Sequence, residues 1–343
     1  MEDRDIPIQT PDGESIIIDF FRPEDASGIG GLFRDVYGEQ YPIRLYYEPD
    51  ALTRANASGE CCSIVARSQT GRVVGVSHVV QSSPYKGIYE SAAGLVLREF
   101  RSLGISNRLQ WFLFHRWLPS RPRVVGIFGE PVCMHTHLQK NWHALGAVEF
   151  GLELALIPGS AFGTESVNYA RVACTAAYRS VVPKAHPVYL PEVYAHALRF
   201  LYSELPEPRS FSLALAPLPQ DRISDCRIRI FDFASVARVA FHETGADLAD
   251  AIDNMEKDVR RQGVEVIQVW LKLGDPWAGA AVDVFRRNGY FLGGILPRWF
   301  DDDGLFMQKL YCSPCWDGIH LYTDRAKKIL ELIQEDCTRV EKS

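Results

Sequence analysis

The stretch that decides the fold is REFRSLGISNRL, which runs from Arg98 to Leu109. It follows an apolar run at residues 91–97, SAAGLVL, which is typical of a buried strand, and it leads into apolar residues at helical spacing. A strand, a short loop and a helix in this order leave backbone amides unpaired at the start of the helix. Such amides bind phosphate, because they converge at the positive end of the helix dipole. The sequence therefore predicts an anion-binding loop here.

Length and composition indicate a globular protein of more than one domain. The chain has 343 residues, of which 47% are apolar and 23% charged. Its net charge of -6 argues against a nucleic-acid surface, which needs clustered Lys and Arg. No apolar run approaches membrane-spanning length, and the acidic beginning MEDRDIPIQTPDGES is unlike a signal peptide. We therefore expect a cytoplasmic protein with neither a nucleic-acid nor a membrane partner.

The eight cysteines form no framework, because they are scattered and lie mostly in apolar segments. The spacing of Cys312 and Cys315 fits half a zinc site or a redox pair, but no second CxxC or CxxH partner accompanies it. The acidic run at 301–303 lacks the spaced ligands of a calcium loop. We expect both segments to be plain loops and the protein to bind no metal.

The predicted elements of the first half recur in the second. In each half a strand leads through a loop to an amphipathic helix, and a buried strand, a short helix and further strands follow. A final amphipathic helix from about residue 322 to residue 340 should dock on the protein. We predict an α/β fold of two tandem mixed-sheet domains, 1–160 and 161–312, followed by a C-terminal loop and docking helix, 313–343.

Several motifs resemble a known family. The segment RSLGIS at 101–106 is similar to the R/Q-x-x-G-x-G/A loop of the GNAT acyltransferase superfamily, and it stands in the same place, between a central strand and its crossover helix. The segment NWHALGA at 141–147 resembles a helix that ends in Gly-Phe in those proteins. The segments 289–297 and 321–326 resemble a bacterial group of tandem GNAT proteins. The resemblance covers nearly the whole chain and implies two GNAT-like domains.

The resemblance implies that the first domain binds acetyl-CoA or another acyl-CoA as co-substrate. A glycine at the closest approach and small residues around it let backbone amides converge on a pyrophosphate. The alternative is a structural turn without a ligand. The implied coenzyme-binding residues are Leu95, Val96, Leu97, Arg101, Ser102, Leu103, Gly104, Ile105, Ser106 and Asn141.

The second half lacks this loop. At the corresponding point stands HETGADL, residues 242–248, which has one glycine and carboxylates that repel a pyrophosphate. We therefore predict that the second domain is degenerate and has a structural or substrate-shaping role.

Acyl transfer from a thioester to an amine needs a base for the ammonium proton and a route to protonate the leaving thiolate. The resemblance implies a carboxylate base on the central strand, near whose start Glu90 lies. Glu130 is a second candidate, because it follows the buried strand 124–129 at the expected crevice of the sheet. His135 lies in the same polar segment and could titrate near neutral pH.

The family's usual acid is a tyrosine, at a position held here by Trp142. An indole cannot act as that acid, so His143 or solvent would replace it. The resemblance also implies that Tyr37, Tyr41 and Trp142 line the acceptor pocket, although packing in the core is the alternative for the tyrosines.

We thus expect an acyl-CoA-dependent N-acyltransferase that transfers acetyl by direct attack to an amine of a small metabolite or natural-product intermediate, as a monomer or homodimer. The alternatives are a non-catalytic acyl-CoA-binding or regulatory protein, and an acyltransferase that modifies a Lys or N-terminus of another protein.

Overall fold

The apolar runs of the sequence form the strands of mixed sheets, with amphipathic helices packed beside them. The computed structural model describes residues 7–39, 41, 43–166 and 169–342. By its internal contacts the chain forms two units. Unit 1 extends to Gly129 and takes in Ala161–Gly163, while unit 2 comprises Glu130–Ser160 and the chain from Thr164 onward. The α/β class predicted from the sequence is confirmed.

Unit 1 contains a mixed sheet whose strands follow each other in chain order. All neighbours are antiparallel except the last pair, β5 and β6, which the crossover helix α3 connects. The strands are β1 (Ile8–Gln9), β2 (Ser15–Phe20), β3 (Cys61–Ser68), β4 (Val73–Val80), β5 (Ile88–Val96) and β6 (Gly126–Gly129). The helices are α1 (Asp25–Tyr37), α2 (Pro49–Ser58) and α3 (Ile105–Phe112).

A buried ion pair fixes α1 against the sheet of unit 1. Asp25, in the first turn of α1, accepts hydrogen bonds from the guanidinium of Arg67 on β3, one of them at 2.5 Å from Nε. Both side chains are withdrawn from water, so each needs the other to remain charged. The pair therefore fixes the position of α1, which carries Phe33 and Tyr37 over the sheet.

Helix α3 does not keep one geometry to its end. Its α-helical part gives way to a π-helical turn at Leu113–Trp117 and a short 3-10 turn at Leu118–Ser120, where Pro119 ends the helix. The helix that the sequence predicts after the loop is thus present, with a wider turn in its second half.

The sheet strands of unit 2 follow the order β8-β7-β14-β15-β13-β12-β11, and β9 and β10 form a parallel pair of their own. Only β12 and β13 are parallel neighbours within this order, and α6 connects them. Its strands are β7 (Val148–Pro158), β8 (Arg171–Ser180), β9 (His186–Leu190), β10 (Arg209–Leu213), β11 (Asp225–Phe231), β12 (Val236–Glu243), β13 (Val266–Lys272), β14 (Phe291–Leu296) and β15 (Gly304–Leu310). Its helices are α4 (His137–Ala144), α5 (Ala195–Tyr202), α6 (Leu248–Arg261), α7 (Ala278–Arg287) and α8 (Asp324–Glu341).

The order of elements along the chain occurs twice, as the sequence predicts. The series β5-α3-β6-α4-β7-β8 has the same succession of strands and helices as β12-α6-β13-α7-β14-β15. The first series ends at Ser180 and crosses from unit 1 into unit 2. The domain boundaries at 160/161 and 312/313 stay predictions.

The last helix docks as predicted. Thr323 caps α8 by accepting a hydrogen bond from the amide of Ala326 at 3.0 Å, and Ile329 and Ile333 are buried on the face that packs against β14 and β7. Asp336 accepts hydrogen bonds from the Leu292 amide at 2.8 Å and from the Tyr194 hydroxyl at 2.7 Å. None of the helices in the described ranges is both long and apolar enough to cross a membrane.

Candidate active site

The two parallel strands of unit 1 form a fork. β5 pairs with β6 at Ile88, Tyr89 and Glu90, and the ladder recorded for the described residues goes no further. β5 itself continues to Val96, still paired with β4 on its other side. Backbone donors and acceptors on the open side of β5 need partners. The fork therefore offers a ladder edge to an extended ligand that carries amide groups.

A bulge bends β5 within the fork. Val76 of β4 lies opposite Leu95 and His78 lies opposite Ala92, so Ala93 and Gly94 together face a single residue of β4. Ala93 has a φ of 47°, a left-handed conformation that is uncommon for a residue other than glycine. Bulges bend the strand that carries them and occur frequently beside active sites. This bulge accompanies the departure of β5 from β6.

The loop between β5 and α3 contains two residues with positive φ angles. Ser102 has a φ of 72° and Gly104 a φ of 77°, and α3 begins directly after Gly104. A Cβ at Gly104 would meet no atom within 4 Å, so the backbone angle and not packing demands glycine there. Ile105 is buried and anchors the helix, while Ser106 is exposed. The first amides of α3 thus belong to a helix end that can receive an anion.

The three strand residues predicted to bind the coenzyme are not equivalent. The amide of Leu97 donates to the carbonyl of Val74 at 3.0 Å, so it is already used by β4. Backbone groups alternate in direction along an antiparallel strand, which turns Leu95 toward β4 as well and turns Val96 toward the open side. Arg101 supports this assignment, since its Nε lies 3.4 Å from the Val96 carbonyl. Val96 is therefore the candidate backbone partner for a ligand, while the roles of Leu95 and Leu97 stay predictions.

Glu90 and the two predicted pocket tyrosines come together in unit 1. Burial, together with the nearby Tyr37 and Glu90, raises the pKa of the Tyr41 phenol above its ordinary value. The rings of Tyr37 and Tyr41 are 5.0 Å apart, and Tyr41 lies edge-on to Phe33 at 4.8 Å. A carboxylate beside aromatic faces suits a cationic amine. Glu90, the last residue of the β5–β6 ladder, thus acts electrostatically on Tyr41, which forms an aromatic wall together with Phe33 and Tyr37.

Behind this wall lies a histidine that sequence reasoning missed. His78 on β4 has no solvent exposure, stacks on Tyr46 at 4.2 Å and has its Nδ1 2.9 Å from the Ser63 hydroxyl. Burial lowers the pKa of the imidazole to about 3, so the ring is neutral at physiological pH. The only sequence signal was a histidine inside an apolar strand, a pattern that more often marks packing than chemistry.

Glu130, the second carboxylate predicted as a base, is in an ion pair in unit 2. Its Oε1 accepts a hydrogen bond from Arg238 at 2.7 Å, and the same guanidinium nitrogen lies 3.0 Å from Glu153. Gln268 donates to Glu153 at 3.0 Å and accepts from Arg238 at 2.8 Å, which closes the network. This arrangement gives Glu130 a structural partner, so its catalytic role is not supported.

The remaining predicted residues also belong to unit 2. His135 lies 5.1 Å from His137, ring to ring, whereas the exposed His143 lies against Tyr322 at 5.7 Å. Asn141 is half-buried on α4. Trp142 is only 2% exposed in unit 2, and its place in an acceptor pocket stays a prediction.

The parallel pair of unit 2 carries the opposite charge at the matching position. β12 pairs with β13 from Val236 to Ala240, and its register with β11 is continuous from Cys226 to Phe231 and shifts between Asp225 and Cys226. The first paired residue is Ile88 in β5 and Val236 in β12, so the position of Glu90 corresponds to Arg238. A cation therefore stands where unit 1 has the carboxylate of Glu90, so this position of β12 cannot supply a base.

The start of α6 also differs in charge from the start of α3. Asp247 precedes α6, and its carboxylate accepts hydrogen bonds from the amide of Ser224 at 2.9 Å and from its hydroxyl at 2.8 Å. Burial opposes ionisation there, but these bonds keep the pKa of Asp247 below its ordinary value. A negative charge therefore already lies where a pyrophosphate would bind, which favours the predicted degeneracy of the second domain.

Within the described ranges, no group of three or more metal-ligating side chains lies together. Cys312 and Cys315 are half-buried and free of disulfide bonds.

The comparisons with known proteins are structural. No protein-family model matches the sequence, and no curated protein matches it. A GNAT-family acetyltransferase from Streptococcus pneumoniae is 12% identical with a TM-score of 0.40, covering 48% of this chain and 99% of its own. The ribosomal-protein-S5-alanine acetyltransferase from Vibrio fischeri is 13% identical with a TM-score of 0.39, covering 48% and 92%. A GCN5-related N-acetyltransferase from Kribbella flavida is 18% identical with a TM-score of 0.37, covering 48% and 98%. Over about half its length this chain is thus similar to acetyltransferases, at scores too low to carry a conclusion about chemistry.

Proposed function

We propose that the chain is a GNAT-type N-acyltransferase that uses acetyl-CoA or another acyl-CoA as co-substrate, with its site in unit 1. The observation that carries the proposal is the fork. One strand that is bulged at Ala93 ends its ladder with β6 at Glu90, presents Val96 on its open side and continues into the Gly104 loop at the start of α3. A pantetheine arm carries amides for the strand edge, and a pyrophosphate suits the helix start.

Glu90 supplies the base in this proposal. The acceptor enters as an ammonium ion, and Glu90 takes one of its protons directly or through a water molecule. The freed amine attacks the thioester carbon, a C–N bond forms, and collapse of the tetrahedral adduct breaks the C–S bond. The nitrogen of the adduct gives up its second proton to solvent and the thiolate receives one, so that a neutral amide, the free thiol of coenzyme A and one net proton are formed.

Tyr41 is unsuited to protonate that thiolate. Burial and the neighbouring Tyr37 and Glu90 raise the pKa of its phenol. A thiol of ordinary acidity has a pKa near 8.5, well below that of such a phenol, so transfer of the tyrosine proton to a thiolate would be uphill. The proton collected by Glu90, or one from solvent, is the alternative source. Tyr41 instead offers a hydrogen bond and an aromatic face to the acceptor.

The acceptor in this proposal is an amine of a small molecule. Tyr37 and Tyr41 supply ring faces that attract a cation, and Glu90 supplies the opposite charge. A lysine side chain or a protein N-terminus has the same reacting group and would be distinguished by its activity as an acceptor. The alternative is a protein that binds acyl-CoA but does not transfer the acyl group to an acceptor.

The test is a turnover assay with acetyl-CoA and a panel of small amines, lysine peptides and N-terminal peptides, with acetylated product and coenzyme A measured by chromatography. We expect Glu90→Gln to lower kcat by roughly 10²–10⁴-fold while acetyl-CoA binding is kept, because only proton removal is lost. Glu130→Gln is the matched carboxylate control and should keep kcat. Binding of acetyl-CoA with no product from any acceptor would favour the non-catalytic alternative, and equal activity of Glu90→Gln and the wild type would refute the role of Glu90.

A further inference from the structure

A buried amide lies on the side of the fork opposite the aromatic wall. Gln110 of α3 is 5% exposed, and its Nε2 lies 3.3 Å from the hydroxyl of Ser77 on β4 and 3.1 Å from the hydroxyl of Ser91 on β5. The Ser91 hydroxyl donates in return to the Gln110 Oε1 at 3.2 Å. One side chain of the helix thus bonds to both strands.

One of the two serines precedes the bulge on β5, and the other lies opposite it on β4. Ser91 directly follows Glu90, where the ladder to β6 ends, so it is the first residue of β5 beyond the fork point. Ser77 lies between Val76 and His78, the stretch of β4 opposite the bulge, and a Cβ placed on Gly94 would lie 3.9 Å from its hydroxyl. Ser77 is 1% exposed. A buried amide that loses such hydrogen-bond partners is left unsatisfied, which costs free energy, so the contacts favour one arrangement of helix and strands.

Gln110 also connects the strand to the loop. It belongs to the same helix that begins after Gly104, so the helix start and the amide move as one body. A ligand that bound both the helix start and the edge at Val96 would need the distance between them to be constant. The amide of Gln110 ties α3 to β5 at Ser91, two residues before the bulge.

We propose that Gln110 is a positioning residue that holds the bulged strand in register with the loop, so that the pantetheine arm of the coenzyme is bound along β5. This inference rests on the proposed function, because it assumes that the loop holds the pyrophosphate. It separates two roles within the site. The Gly104 loop binds the nucleotide and pyrophosphate, whereas the Gln110 clamp, which is Gln110 with Ser77 and Ser91, positions β5 for binding of the pantetheine arm.

The test compares two ligands of different reach by calorimetry. Coenzyme A contacts both parts of the proposed site, and 3′-phosphoadenosine 5′-diphosphate carries the nucleotide and pyrophosphate without the arm. In Gln110→Met we expect coenzyme A to bind about tenfold more weakly, since buried hydrogen bonds that fix the strand are lost. The Kd of the nucleotide should stay within about twofold of the wild-type value, because no contact of the loop is removed.

The matched control is Gln139→Met. Gln139 is also a buried amide, but it lies in unit 2 and bonds to main-chain carbonyls. It should change neither affinity. If Gln110→Met does not fold, Ser91→Ala removes one of the two serine partners and should weaken coenzyme A binding alone, by a smaller factor.

The outcomes separate the clamp from the proposed function. Equal weakening of both ligands in Gln110→Met would show a general loss of structure and overturn the positioning role. Unchanged binding of coenzyme A would overturn it as well. Failure of the wild-type protein to bind either ligand would instead refute the proposed coenzyme site.

Discussion

His78 should make the stability of unit 1 depend on pH by an amount that follows from its surroundings. The imidazole is fully buried and its pKa falls to about 3, compared with about 6.5 for an exposed histidine. At a pH between these two values, the imidazole of residue 78 is therefore protonated in the unfolded chain but not in the folded protein. The stability contribution is fully present above about pH 6.5 and is lost progressively as the pH falls toward 3. Between pH 7.5 and pH 5, the linkage amounts to about 2 kcal/mol.

The groups that face the ring do not disturb this calculation. Ser63 and Phe33 are uncharged, and burial raises the pKa values of Cys61 and Tyr46, so both stay neutral between pH 5 and pH 7.5. His78→Asn keeps a polar group near the Ser63 hydroxyl and removes the titrating ring. The contributions of all other titrating groups are shared by the two proteins and cancel in the comparison.

The assay is urea unfolding of the wild type and His78→Asn at pH 7.5 and at pH 5. The wild-type free energy of unfolding should fall by about 2 kcal/mol more than that of the variant over this interval. Equal losses in the two proteins would refute the reasoning. So would a nuclear magnetic resonance titration in which the folded-state imidazole of residue 78 took up its proton near pH 6.5.

Three substitutions test other parts of the account. Gly104→Ala should lower the free energy of unfolding by about 1 kcal/mol, because a φ of 77° is costly for an L residue even though its Cβ would have room. An unchanged free energy in urea unfolding would contradict this account of the loop. Glu130→Gln should lower stability by about 1 kcal/mol, as Arg238 loses a charged partner, with kcat unchanged; a large fall in kcat would restore its catalytic role. Asp25→Ala should cost about 3–5 kcal/mol by leaving Arg67 buried and unpaired, and a loss below about 1 kcal/mol in thermal or urea unfolding would show that the pair is dispensable.

Much of the fold was predictable because local signals agreed with each other. The apolar run before Arg98, the glycine at 104 and the helical spacing after Ile105 predict a strand, a turn and a helix, and the structure contains all three. The repeated element order and the docking of α8 followed from periodicity in the same way. The bulge at Ala93 was not predictable, since alanine carries no signal for a left-handed backbone angle.

Side-chain partners over long sequence distances were the other part that the sequence could not reveal. Glu130 and Arg238 are far apart in the chain, and a pattern of single residues does not show that one neutralises the other. Gln110 reads as an ordinary polar position on an amphipathic helix, although its amide joins two strands. Glu90, Tyr37 and Tyr41 were proposed through the family resemblance, and the structure brings them together; their roles stay predictions.

The measurement that tests the central claim most directly is calorimetry of acetyl-CoA binding to the wild type, Gly104→Glu and Gly71→Glu. Gly71 is the matched control, because it also lies in unit 1, has a positive φ of 84° and would place a Cβ in open space, but it belongs to the β3–β4 hairpin. The account predicts micromolar binding by the wild type and by Gly71→Glu, and none by Gly104→Glu, whose carboxylate would occupy the pyrophosphate position. Absence of binding by the wild type, or full binding by Gly104→Glu, would contradict it.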